Sequence, residues 1–134
     1  MPRNCRRILV VDDEKAMGMV LSTILSVLGF EVEVATNGQE GLLLFLERPF
    51  DLVMTDLQMP GIDGWTLARH IKDKSSRTPI VLITGDDKVD VTERLKKSCI
   101  DHAIFKPFLV EDIQATVQRA LASAKDREAG CCFQ

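Results

Sequence analysis

Three consecutive carboxylates, Asp12, Asp13 and Glu14, follow directly on the apolar block Ile8 to Val11 in the stretch RRILVVDDE. Packed like charges repel, and a carboxylate beside an apolar interior loses hydration, so the arrangement calls for a cation or hydrogen-bond donors. Further along, Asp56 closes DLVMTD, Thr84 closes PIVLIT and Lys106 closes HAIFK. Carboxylates with no His or Cys nearby in sequence suit a hard octahedral ion, with Mg²⁺ the cellular default. A carboxylate is also a nucleophile toward phosphorus, giving an acyl phosphate. A metal and the Lys106 ammonium would then neutralise the transferring group, and the Thr84 hydroxyl would meet one of its oxygens. Asp12, Asp13, Asp56, Thr84 and Lys106 each read alone as a solvated strand end or a cap. Their complementary capacities make the set informative.

The segments that carry them read as a strict alternation. RILVV (7 to 11), EVEVA (31 to 35), DLVMTD (51 to 56), PIVLIT (79 to 84) and HAIFK (102 to 106) have the composition of strands. Between the first two, Met17, Leu21, Ile24 and Leu28 form a helical stripe that Gly29 can stop in a left-handed conformation. Asn37 and Glu40 resemble a capping box opening GLLLFLE, with Pro49 closing that segment. Further helices are expected around 65 to 73, 87 to 98 and 111 to 124. Such alternation requires crossover connections, hence a doubly wound (βα)5 fold: a parallel sheet with helices on both faces. Asp12, Asp13, Asp56, Thr84 and Lys106 then all fall at the carboxyl edge, where open parallel sheets bind ligands.

Composition narrows the classes further. The chain has 134 residues, 46% of them hydrophobic, and a net charge of −3, which fits one domain with a proper core. No apolar run is long enough to cross a bilayer and MPRNCRR is not followed by a signal-peptide core, so a cytoplasmic location is expected. Cys5, Cys99, Cys131 and Cys132 form no CxxC pair and have no His at ligand spacing, so reduced thiols are expected. The scattered basic residues argue against direct nucleic-acid binding. His70 and His102 read as structural, and Trp65 as a packing residue at the start of its helix.

VVDDE, DLVMTDLQMPGIDGW, PIVLITGDD and AIFKPF together resemble the receiver (CheY-like) domain of two-component response regulators, over residues 6 to 122, with short extensions at 1 to 5 and 123 to 134. The resemblance implies a flavodoxin-like, five-stranded parallel sheet in the order 2-1-3-4-5. It implies that Asp56 accepts a phosphoryl group from a phosphohistidine of a sensor histidine kinase or phosphotransfer domain. Asp13, Asp56 and the backbone carbonyl of Gln58 would hold Mg²⁺, with Asp12 acting mostly through water. Thr84 and Lys106 would contact the phosphoryl group, and the Lys106-Pro107 bond would be cis. The domain would catalyse only its own phosphorylation and dephosphorylation, and would signal to an effector protein or a fused output domain. Ala16, Met17 and Val20, at the start of the first helix, would face the kinase, although Met17 and Val20 could equally be core. Gln58 and Asp86 flank the site where they could tune the phosphoryl group's lifetime.

One position departs from the family pattern. Receivers commonly carry Tyr or Phe three residues before the lysine, and here that position is Ala103. Phe105 and His102 are both read as out of phase with it, so a ring-free response is expected, carried by the loop after Thr84 and the start of the fourth helix. Among other classes, a flavin carrier would need phosphate-binding donors, not acids, after the first strand. A haloacid-dehalogenase-like phosphatase would need a DxD pattern where DDE stands. The remaining alternative is a receiver-like interaction module that works without phosphorylation.

Overall fold

The computed structural model describes residues 6–85 and 88–130, and for residues 123–130 the backbone only. Strands and helices alternate as β1 (Arg7–Val11), α1 (Lys15–Val27), β2 (Glu31–Ala35), α2 (Gly38–Glu47), β3 (Leu52–Asp56), α3 (Gly64–Lys74), β4 (Ile80–Thr84), α4 (Lys88–Leu95), β5 (His102–Phe105) and α5 (Val110–Gly130). All strand pairs are parallel, and the sheet order is β2-β1-β3-β4-β5.

The period-two alternation of strand side chains splits the core into two layers. Leu9, Val11, Val53, Ile80 and Leu82 face α2 and α3, meeting Phe45, Leu67 and Ile71. Ile8, Val10, Met54, Val81 and Ile83 face α1 and α5, meeting Leu21, Leu25, Ile113 and Val117. Both faces of the sheet are therefore covered, which is why β1 and β4 read as continuous apolar runs and not as alternating ones.

Local signals set the boundaries. Gly29 closes α1 with φ +102°, and its N–H donates to the Ser26 carbonyl at 3.0 Å. At α2 the Asn37 side chain accepts from the Glu40 N–H at 2.8 Å, while the Glu40 carboxylate reaches the Thr36 N–H at 2.8 Å, one residue upstream of a regular capping box. Asp63 caps α3 through the Thr66 N–H at 2.9 Å. α4 is shorter than the expected 87 to 98, because Ser98 donates to the Leu95 carbonyl and accepts from the Ile100 N–H, offering the backbone an alternative to the helix. α5 runs past 122, where the expected domain end lay, since the residues that follow contain no helix breaker before Gly130. The terminal extension 1 to 5, Asp86, and Cys131 and Cys132 lie outside the described residues.

The amino edge of the sheet is polar and satisfied. The Arg7 N–H donates to Asp51, and its guanidinium donates to the Pro49 carbonyl and to Glu33, each at 2.7 Å, while lying 4.5 Å over the Phe50 ring. Lys72 pairs with Asp101 at 2.9 Å, and the same carboxylate oxygen accepts from the Ile80 N–H at 2.8 Å.

Candidate functional site at the carboxyl edge

At the opposite edge three carboxylates converge. β1 ends at Val11, and Asp12 continues it by one residue, its N–H donating to the Ala35 carbonyl at 3.0 Å. Asp56 is the last residue of the adjacent strand β3. Asp12, Asp13 and Asp56 thereby offer carboxylate oxygens that all lie within 4.8 Å of one another. Their exposure is graded: Asp12 is buried, Asp56 half-buried and Asp13 exposed.

Within this cluster Asp12 is only half satisfied. One Asp12 oxygen accepts from the Glu14 N–H at 2.9 Å, but the other is buried with no hydrogen-bond partner among the described residues. Burial pushes the Asp12 carboxyl up to about 6, opposed by the Glu14 hydrogen bond; the charge of Asp56 raises it, Lys106 lowers it and Asp13 raises it. An orphaned buried oxygen beside two further carboxylates fits a divalent cation with oxygen ligands, since such an ion meets the orphan and cancels the repulsion.

The other predicted residues surround the cluster. The Lys106 ammonium is 3.9 Å from Asp56 Oδ1, which also accepts from the Leu57 N–H at 2.8 Å. Thr84 ends β4 and is buried, and its carbonyl accepts from the Lys106 N–H at 2.8 Å, tying the two residues together. Gln58, two residues beyond Asp56, is exposed between buried Leu57 and Met59. The Lys106-Pro107 bond is cis, as expected. Gly61 adopts φ +83° in the loop that follows. Gly64 is required by contact instead: a Cβ there would lie 2.5 Å from the Asp56 carbonyl oxygen.

The reading of the switch position needs correction. Ala103 and Phe105 are two residues apart and so share a face of β5, and both pack on the layer formed by α2 and α3. Phe105 is the register partner of Thr84, whose strand neighbours Ile80 and Leu82 face the same layer. A ring therefore does stand beside Thr84, and the Lys88 ammonium at the start of α4 lies 5.5 Å from its centroid. The two-residue spacing was the available signal. The contact to Lys88 had none, because α4 had to be placed first. At the first helix, Met17 packs on the core while Val20 is exposed, and Trp65 packs partly on the core beneath Arg94.

The family model for the response regulator receiver domain matches residues 8–118. Among curated relatives, the regulatory protein AtoC of Escherichia coli is 38% identical over 116 residues, covering 86% of this chain and 25% of that protein. The virulence sensor protein BvgS of Bordetella pertussis is 36% identical over 130 residues, covering 92% of this chain and 10% of that protein. The chain thus spans a quarter or less of the length of these two relatives. Two solved structures of receiver domain proteins match it nearly end to end. That from Clostridium thermocellum is 28% identical with a TM-score of 0.83, covering 90% of this chain and 97% of its own. That from Methanospirillum hungatei is 25% identical with a TM-score of 0.86, covering 92% and 99%. With the sheet order, the acidic cluster and the lysine at its rim already in place, the match over most of its length establishes that this chain belongs to the response regulator receiver domains, the regulatory phosphoacceptor modules of two-component phosphorelays.

Proposed function

We propose that this domain accepts a phosphoryl group on Asp56 from a phosphohistidine of a sensor histidine kinase or phosphotransfer domain, in a Mg²⁺-dependent reaction, and signals by changing its surface. The observation that carries the reading is the convergence of Asp12, Asp13 and Asp56 with Lys106 at 3.9 Å from Asp56. An Asp56 carboxylate oxygen attacks phosphorus; the new P–O bond forms as the P–N bond to the donor imidazole breaks, and the imidazole leaves with the bonding pair. Asp13, Asp56 and the Gln58 carbonyl would hold Mg²⁺, with Asp12 acting mostly through water, and the ion would supply charge neutralisation for the phosphoryl oxygens. The Lys106 ammonium, 3.9 Å from Asp56, would neutralise the added negative charge, and Thr84, at the end of the neighbouring strand, would offer its hydroxyl to another oxygen.

No described helix is long and apolar enough to cross a membrane, and a cytoplasmic setting beside the kinase is part of this proposal. The output, whether a separate effector or a fused domain, is reached through protein contacts, and no direct nucleic-acid contact is assigned to this domain. Apart from its own phosphorylation and dephosphorylation it performs no catalysis. Incubation with acetyl phosphate and Mg²⁺ should add one alkali-labile phosphoryl group per chain, and Asp56→Asn should abolish it. Equal labelling of the Asn variant would overturn the assignment. A phosphorylation-independent module would instead bind its target equally well as wild type and as Asp56→Asn.

A further inference from the structure

Away from the aspartate cluster, two adjoining cavities run along the seam between α3 and α4 and share Trp65 and Arg94. The first, of about 310 Å³, is lined by Trp65, Arg69, Arg94, Lys97, Ser98 and Cys99. The second, of about 360 Å³, is bounded by the Leu57–Met59 segment and Asp63. We propose that this seam is a docking groove for an acidic peptide segment of a partner protein, carrying an apolar residue beside its carboxylates. The inference goes beyond the phosphoacceptor reading and does not depend on it.

Charge is the first argument. The chain carries a net −3, yet the first cavity gathers three cations and no carboxylate. Arg69 comes from α3, Arg94 from α4 and Lys97 from the turn after it, so packing of the two helices concentrates charge that is dispersed in the sequence. All three residues are exposed, and among the described residues neither Arg69 nor Lys97 has a carboxylate partner. Such a concentration of cations attracts anionic groups and repels other cationic surfaces.

Geometry selects the kind of anion. The Arg94 guanidinium lies 4.7 Å over the Trp65 ring, which holds the fork in place and leaves its N–H edge to receive a carboxylate. With one ring face under Arg94 and the ring also packed on the core, Trp65 is poorly placed to stack on a nucleobase, which disfavours a nucleotide. The first cavity has Trp65 and Cys99 in its wall among the cations, so an apolar side chain can lie there beside the carboxylates. The second, walled by Gln58, Asp63 and Arg94 with Leu57 and Met59 themselves buried, is the more polar of the two, and its acid is committed to capping α3. Two adjoining compartments match an extended peptide better than a compact metabolite.

The test uses the full, unphosphorylated chain without Mg²⁺ or phosphodonor, so its outcome is independent of Asp56. A fluorescein-labelled peptide alternating glutamate pairs with leucine is titrated at low salt by anisotropy, with the emission of Trp65, the chain's single tryptophan, as a second readout. Saturable binding that shifts the Trp65 emission is expected. Arg94→Gln, and the pair Arg69→Gln with Lys97→Gln, should each weaken it by about tenfold or more. Arg119→Gln, on exposed α5 surface, should not. Arg94→Lys separates charge from the stacked fork and should restore binding only in part. Absence of saturable binding to the wild-type chain, or unchanged affinity in the Arg94 and Arg69/Lys97 variants with native circular dichroism, overturns the proposal. Tighter binding of a single-stranded oligonucleotide than of the peptide, lost in the same variants, overturns it in favour of a nucleic-acid groove.

Discussion

Asp12→Asn should remove a pH-dependent penalty from the metal-free fold. The Asp12 carboxyl has an ordinary value of 3.8 and is raised to about 6 in the folded chain, chiefly by burial. The folded state therefore binds a proton more tightly than the unfolded chain does. The associated stability is fully present below pH 3.8 and is lost as pH rises through about 6. A shift of a little over two pH units corresponds to about 3 kcal/mol, at 1.36 kcal/mol per unit. Asn keeps an oxygen to accept the Glu14 N–H and carries no charge at any pH. Its amide nitrogen, however, falls where the partnerless oxygen stands, which costs about 1–3 kcal/mol and lowers the whole curve. The pH-dependent difference is the cleaner quantity. Urea unfolding in EDTA, measured between pH 4 and pH 7, should show wild type losing about 2.5 kcal/mol relative to Asp12→Asn over that interval, the remainder being lost already below pH 4. Saturating Mg²⁺ should return stability to the wild type at neutral pH and return less to the variant, because ligand stabilisation follows affinity. Parallel curves for the two proteins in EDTA would refute the claim that this carboxylate is held at a cost.

Three further outcomes follow from other contacts. Gly64→Ala drives a Cβ to 2.5 Å from the Asp56 carbonyl oxygen, a backbone atom that cannot move aside cheaply; a loss of about 1–3 kcal/mol in urea unfolding is expected, with slower labelling by acetyl phosphate, and an unchanged midpoint would show that the loop yields. Phe105→Leu removes the ring beside Thr84 and the contact to Lys88, so beryllofluoride should alter amide exchange across α4 less in this variant than in wild type, whereas an identical exchange pattern would return the response to a ring-free route. Lys72→Met breaks the half-buried pair with Asp101 and should cost about 1–2 kcal/mol without affecting phosphorylation; a phosphorylation defect would mean the two sheet edges are coupled.

What the sequence disclosed and what it hid divide along a physical line. The strand ends were legible, because an apolar block that stops at a polar residue marks both an element and an edge; Asp12, Asp56, Thr84 and Lys106 were placed in that way and the structure brings them together. The sheet order came with the family resemblance and is the observed one. Quantities set by depth were not legible. Nothing in DDE says that the first acid is buried and the second exposed, and that difference is what leaves one Asp12 oxygen without a partner. Contacts between helices were hidden as well: the stack of Arg94 on Trp65 and the approach of Lys88 to Phe105 depend on where α4 lies against the sheet. The misreading of Phe105 was of another kind, since its spacing from Ala103 already put both on one face.

The two edges of the sheet carry opposite burdens, and the difference explains how the acidic cluster is tolerated. At the amino edge Arg7 meets Asp51, Pro49, Glu33 and the Phe50 ring, and Lys72 and the Ile80 N–H converge on Asp101, so the polar groups there are matched to partners within the chain. Between the edges, strands β1, β3 and β4 are almost wholly buried and fix the register of the sheet. A register held by the core and by one satisfied edge leaves Asp12, Asp13 and Asp56 little freedom to relax apart at the other. Their repulsion is therefore retained in the folded chain as an affinity for positive charge, which Lys106 satisfies only in part at 3.9 Å. The same rigidity that makes the cluster costly without a cation preorganises it for one, and a site that is already assembled spends little of its binding energy on ordering itself.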